Sequence, residues 1–356
     1  MRILISLLLL AGVLLSEGVK AEDNPIEQQI RKAFEAGRLD GLHSVLFTRK
    51  GETLAEVYFA GEDERWGTPM GERAHGPKTL HDLRSVSKSI VSLLYGIALA
   101  DGLVPGPDEP LMAQFPEYAD LANDPERQAI TIRDVLTMQM GTAWNEDLPY
   151  TDPRNSEIAM ERADDRYRFV LEQPMVTKPG TEWRYSGGST ALLARIIAKG
   201  AGKPVDEFAR ERLFGPLGIE HFEWVAGADG EPAAASGLRL TIRDLVKIGQ
   251  MINDGGAYDG KQIIPPDWLK ASFTPQAKLE TGLRYGFQWY LAAEGDPPRW
   301  ISGFGNGGQR LTIQPQYDFA LATFAGNYNQ PDAWKVPVRI IEEILVPALQ
   351  KEGRAE

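Results

Sequence analysis

The stretch RSVSKSI, residues 84–90, sets three serines around a lysine at the mouth of an apolar run. The run continues as IVSLLYGIALA (90–100), and its pattern predicts a helix buried on most of its circumference. A solvated charge is cheaper almost anywhere else, so Lys88 needs a reason to be there. Ser85 and Lys88 are three residues apart and on a helix share a face about one turn from each other. Two readings of the pair stay open: a nucleophile with its base, or a helix cap beside a snorkelling lysine.

Context around the pair strengthens the chemical reading without closing the other. Ser85 follows a long irregular stretch, read as a loop from Gly61 to Lys78, and begins the buried helix, where a helix N-terminus can assist an oxyanion. A second stretch, KPGTEWRYSGGSTALLARIIA (178–198), reads as a turn, an extended segment and a helix from Ser189, with Ser189 as its cap. Tyr185 then falls on an elbow suited to presenting a side chain into a cleft. The GGSTA run at 187–191 just misses the nucleophile-elbow pattern G-x-S-x-G. A third stretch, SGFGNGGQRLTIQP (302–315), carries four glycines in its first seven residues ahead of a strand, which lets another backbone or a substrate approach closely. It holds no phosphate-loop lysine and opens no helix, which argues against nucleotide binding.

Length and composition bound the rest. The chain has 356 residues, 43% hydrophobic and 25% charged, enough for a large core in about two domains. Residues 1–21 read as a signal peptide: Arg2, an apolar segment from Ile3 to Leu15, then Val19-Lys20-Ala21 as a cleavage site. The expectation is an exported chain, periplasmic or secreted, cut after Ala21, with no stable membrane anchor. Zero cysteines mean no disulfide, thiolate metal site or thiol nucleophile. A net charge of −12, one unit more negative without residues 1–21, argues against nucleic acid and anionic lipid as partners. The four histidines, His43, His75, His81 and His221, have no partner at metal-ligand spacing, so neither metal nor cofactor is expected. His81, close to Ser85, leaves a Ser-His-Asp site as an alternative.

An opening helix (25–36), an antiparallel hairpin turning at Lys50-Gly51, mostly helical text from 101 to 219, strand patterns near the end and a final amphipathic helix (331–349) suggest an α+β chain. The expected division is a sheet domain from residues 22–84 and 225–356, and a mainly helical domain from 85–224, with the site at their interface. Thr131 and Thr241, each with Asp three residues on, read as helix caps.

Taken together, LRSVSKS, WRYSG and GNGGQ resemble, in order, the three motifs of the serine β-lactamase and penicillin-binding protein superfamily. The resemblance is closest to the branch of class C β-lactamases, esterases of that fold and 6-aminohexanoate-dimer hydrolases. It implies an antiparallel sheet flanked by helices plus a helical domain. It also implies an acyl-enzyme on Ser85, with Lys88 and Tyr185 as shared base and the backbone N–H groups of Ser85 and Gln309 as oxyanion hole. Gly187, Asn306, Gly307, Gly308, Arg310 and Trp144 are the expected substrate-binding residues. Gly187 stands where the family commonly has asparagine, and Asn306 where it has lysine or histidine. Both departures weaken a true β-lactamase reading and favour a small ester or amide as substrate. A D-Ala-D-Ala carboxypeptidase, and a catalytically silent binding protein of the same fold, remain the rivals.

Overall fold

The computed structural model describes residues 24–352; the expected signal peptide and its cleavage site lie outside them. An eight-stranded antiparallel sheet runs in the order 277–278, 284–285, 290–291, 301–305, 309–314, 319–325, 42–49, 52–58. The two ends of the chain meet where Leu42–Arg49 pairs with Phe319–Ala325. Alternation along these strands builds two cores. Val45, Phe47, Val57, Phe319 and Leu321 face the helix Pro25–Glu35 and the C-terminal helical segment, with Ile30, Ile340 and Ile344 between. Leu46, Ala320 and Ala322 face the opposite way, into the larger core with Ile90, Leu93, Leu192 and Ile248.

The helix Val86–Ala100 lies inside that larger core, and every residue from Val86 to Ala98 is buried. Helices at 132–136, 156–161, 166–171, 187–201 and 205–209 pack beyond it. A three-stranded ladder, His81–Asp82 with Leu238–Leu240 and Glu223–Trp224, ties the helical part to the rest close to residues 84 and 225. It also delivers the chain to Ser85, with the Leu83 N–H bonded to the Leu238 carbonyl. Thr131 and Thr241 both cap their helices, accepting from the backbone of Asp134 and Asp244.

Two local readings change. The stretch read as a loop from Gly61 contains a hairpin, Ala60–Arg65 with Thr68–Ala74. Its charged strands carry no apolar alternation, so periodicity could not reveal it. Its turn is Trp66-Gly67, both with positive φ, and the Trp66 ring and backbone are tied down by Ser236 and Asp82. The helix after Tyr185 begins at Gly187, and its cap is Ser186, which accepts from the Ser189 N–H. The cap therefore sits three residues ahead of the expected one.

Candidate active site

Ser85 occupies the N-cap position of the buried helix, yet its hydroxyl makes no cap bond. Lys88 Nζ instead lies 3.1 Å from Ser85 Oγ, 3.2 Å from Glu157 Oε2 and 3.1 Å from the Ala235 carbonyl. Of the two readings left open by the sequence, the cap-and-snorkel pair is excluded, because Lys88 is 1% exposed and bonds inward. The residue before the serine, Arg84, has φ +49, a strained conformation for a non-glycine. Its guanidinium is held by Glu64 and Asp82 and lies over the Tyr328 ring.

Tyr185 reaches the same hydroxyl and hydrogen-bonds Ser85, while Lys88 Nζ lies 4.9 Å from the centre of its ring. Burial, with the neighbouring Glu146 and Glu157 charges, pushes the Tyr185 phenol well above its usual range. Glu157 is the counter-charge to Lys88. Burial alone would raise its carboxyl, but Lys88 and hydrogen bonds from Ser236 and Glu146 hold it below the ordinary value. Glu146 is partly exposed as a residue, but its carboxyl turns inward to Trp144 Nε1, the Gly187 N–H and the Tyr150 hydroxyl. Burial and the Glu157 charge raise it to about 7.

Gly187 explains where the family's asparagine went. A Cβ there would stand 2.4 Å from Glu157 Oε2. The Glu157 carboxylate occupies that space and takes the lysine's hydrogen bond itself.

The strand laid along the Ser85 helix is Ile301–Gly305. A Cβ on Gly303 would meet Ser89 Oγ at 3.0 Å, and one on Gly305 would meet the Leu83 carbonyl at 2.5 Å and Arg84 Cβ at 3.2 Å. The preceding strand pairs with it only at Ile301 and Ser302, so the Gly303–Gly305 edge on that side has no sheet partner among the described residues. Gln309 is placed differently. It is 2% exposed, and its amide bridges the Asn306 carbonyl and both backbone groups of Ala325.

A cavity of about 650 Å³ opens over Ser85, walled by Arg84, Tyr150, Glu157, Asn306 and Asn329, with the hairpin tip Trp66–Thr68 on one side. Asn306 is in it, but both ends of its amide are taken by Asn329, at 3.0 and 2.8 Å. Gly307 and Gly308 shape the turn that carries Asn306 and do not line the cavity with Ser85. Arg310 does not line it either; its guanidinium stacks 4.2 Å over Phe304. Trp144 packs beneath Gly188 and touches the site through Glu146. Trp183 joins Tyr185, Tyr285 and Tyr290 in an aromatic cluster.

Sequence reading missed Glu157, Glu146, Tyr150, Asn329 and the Glu64–Trp66 wall. The run WNEDLPYTDPRNSE (144–157) held three of them as ordinary polar loop text. His81 lies away from this cavity, with Nε2 2.9 Å from His43 Nδ1 and 3.5 Å from Asp63 Oδ1. His75 stacks on His43 at 4.1 Å. Burial lowers His43 to about 3 and His81 to about 4, and lowers His75 as well.

A serine and a lysine buried together on one helix, with a tyrosine closing the triangle and a glycine-lined strand alongside, are the arrangement expected in the β-lactamase-fold family of serine hydrolases. The chain belongs to the Beta-lactamase family, whose model matches residues 26–335. It is 26% identical over 310 residues to a 6-aminohexanoate-dimer hydrolase of Paenarthrobacter ureafaciens, covering 81% of this chain and 73% of that one. Among solved structures it matches a putative 6-aminohexanoate-dimer hydrolase from Bacillus anthracis with TM-score 0.74 and 18% identity, over 90% of this chain and 82% of that one. A family VIII carboxylesterase matches with TM-score 0.67 and 15% identity, over 90% and 97%.

Proposed function

We propose that this chain is a serine acyl-hydrolase that opens a carboxylic ester or small amide through an acyl-enzyme on Ser85. The observation that carries this is the Ser85 hydroxyl, free of its capping role and within hydrogen-bond reach of both buried Lys88 and Tyr185. In the reactive form the Lys88–Tyr185 pair has given up one proton to solvent; Ser85 Oγ attacks the carbonyl carbon as its own proton fills that place, and Glu157 balances the ammonium this restores. The proton then goes to the departing alkoxide or amine, and water repeats the sequence to release the acid. The developing oxyanion is stabilised by the Ser85 N–H and by a backbone N–H of the Gly303–Gly305 segment. Phe304, flanked by the two glycines that abut the helix, is the proposed donor in place of Gln309.

The cavity favours a modest, weakly charged substrate. Arg84 is committed to Glu64 and Asp82, and Lys88 to Glu157, so neither cation beside Ser85 is spare for a substrate carboxylate. The exposed Arg162 shares the cavity wall with Glu64, Glu157 and Glu161. That supports esterase or amidase activity over turnover of β-lactams.

The test combines labelling and turnover. A fluorophosphonate probe is expected to add one adduct, on Ser85, and the purified chain to hydrolyse short p-nitrophenyl esters or small amides. Absence of both adduct and hydrolysis establishes the silent-binder reading. Release of D-alanine from D-Ala-D-Ala peptides at higher kcat/KM than any ester establishes a carboxypeptidase.

A further inference from the structure

Three of the four histidines, His43, His75 and His81, converge behind the cavity from different segments. His43 comes from the first sheet strand, His81 from the ladder leading to Ser85, and His75 from the end of the Trp66 hairpin, with Asp63 from its first strand. One ligand atom from each lies within 4.8 Å of all the others, and His43, His81 and Asp63 are buried. We propose that His43, His75, His81 and Asp63 form a divalent d-block metal site, for Zn²⁺ first, that fastens the hairpin wall of the cleft to the sheet.

Hydrogen-bond bookkeeping supports this. His81 Nδ1 faces the Asp82 carbonyl at 3.1 Å, and a carbonyl only accepts, so the proton of the neutral ring sits there. That leaves His81 Nε2 as a lone pair aimed at His43 Nδ1 and Asp63 Oδ1. A carbonyl bond behind the ligating ring is the usual support of a metal-bound imidazole. His75 Nε2 is buried with no partner. Asp63 is a buried carboxylate whose Oδ1 lies 3.5 Å from His81 Nε2. Hydrogen bonds from the Tyr328 hydroxyl and the Glu64 N–H reach its Oδ1 but bring no positive charge. A buried carboxylate facing imidazole nitrogens is costly, and a cation among these ligand atoms offsets that cost.

Three nitrogens and one oxygen suit tetrahedral Zn²⁺. At bond lengths of about 2.0–2.1 Å, tetrahedral ligand atoms stand roughly 3.3–3.4 Å apart. The separations of 2.9 and 3.5 Å around His81 Nε2 fall on either side, and the remaining ligand atoms, all within 4.8 Å of one another, draw in on binding. The location assigns a structural role. Glu64, next to Asp63, braces Arg84 beside the nucleophile.

The test reads metal, not catalysis. The full chain, stripped with a chelator, is titrated with ZnCl₂ by calorimetry and then with Co²⁺ by visible absorption. One Zn²⁺ per chain, a Tm rise and tetrahedral Co²⁺ bands are expected. His75→Ala, at the half-buried ligand, and Asp63→Asn, close to isosteric, should each weaken binding by at least about 10-fold. His221→Ala, at an exposed histidine elsewhere, should not. Circular dichroism selects variants that keep the fold. No Zn²⁺ uptake, or uptake unchanged in both folded variants, overturns the site and leaves a hydrogen-bonded histidine pair.

Discussion

At the scale of single residues, the site is a set of buried charges that depend on one another. Tyr185→Phe removes a hydroxyl but no charge, so it is expected to cut ester turnover by roughly 10²-fold or more with stability little changed. Lys88→Ala should lose activity on the same scale and also cost about 3–5 kcal/mol, because Glu157 is left buried without its partner. Steady-state kinetics and urea unfolding of both variants separate the two effects; near-wild-type turnover in Tyr185→Phe would refute the assigned role. Gly187→Asn is a sharper probe. The family's asparagine cannot be restored alone, since its Cβ collides with Glu157, and overpacking should cost about 1–3 kcal/mol. Adding Glu157→Ala makes room for the amide beside Lys88. The double-mutant cycle should show favourable coupling of about 1 kcal/mol or more, and additive effects would mean that the two side chains do not compete for one space.

Glu146 brings pH into the same network. Its carboxyl is raised from 4.5 to about 7, so between those pH values the native chain holds a proton that the unfolded chain has lost. Stability from this group is fully present below pH 4.5 and is lost as pH rises through 7, a total on the order of 3 kcal/mol. Unfolding measured from pH 5 to 8 should show that slope, and Glu146→Gln should flatten it. The kcat profile should lose an inflection near 7 in the same variant. An unchanged slope would place the proton elsewhere.

At the scale of elements, two segments decide the site: the Trp66 hairpin and the glycine strand. Trp66 hangs its indole on Ser236 and its backbone on Asp82. Trp66→Ala is expected to lower unfolding free energy by about 1–3 kcal/mol and to raise KM more than it lowers kcat, since the ring walls the cavity without reaching Ser85. A fall confined to kcat would put the ring in the chemistry. How much was legible differs between the two. The helix of Ser85 showed through its unbroken apolar run, and the Thr131 and Thr241 caps through a local pattern. The hairpin was invisible because its ties run to residues 82 and 236, and no periodicity records such partners. Gln309 was assigned from motif order alone; it pairs with Gly305 across a three-residue turn, and it is the strand 301–305 that abuts Leu83 and Arg84 beside the serine.

At the scale of the whole molecule, charge placement gives the proposed ester or amide preference a test against β-lactams. Asn306 is neutral and bound to Asn329, and Arg310 is stacked on Phe304 outside the cavity. Replacing a charged hydrogen bond by a neutral one costs on the order of 1–2 kcal/mol, roughly 5- to 30-fold in binding an anion. Nitrocefin should be a poorer substrate than a short p-nitrophenyl ester by kcat/KM, and Arg310→Ala should leave that ratio unchanged. A nitrocefin preference that Arg310→Ala removes would reverse this reading. The export proposal has its own measurement: the intact mass of periplasmic material is expected to begin at Glu22, and a full-length mass in membranes counts against cleavage.

Sequence by itself determined what depends on neighbours along the chain: the buried helix, the three-residue step from Ser85 to Lys88, the elbow at Tyr185, the strands with their alternating faces and the family they resemble. Each follows from a local period or a short motif. Tertiary structure alone decided what depends on residues far apart meeting in a dry interior. It turned Ser85 away from the cap and toward Lys88, filled the space at Gly187 with Glu157 from another helix, and gathered His43, His75, His81 and Asp63 from four segments. The physical reason is desolvation. Once buried, a charge or lone pair must find its partner wherever the fold brings one, and sequence spacing carries no record of that meeting.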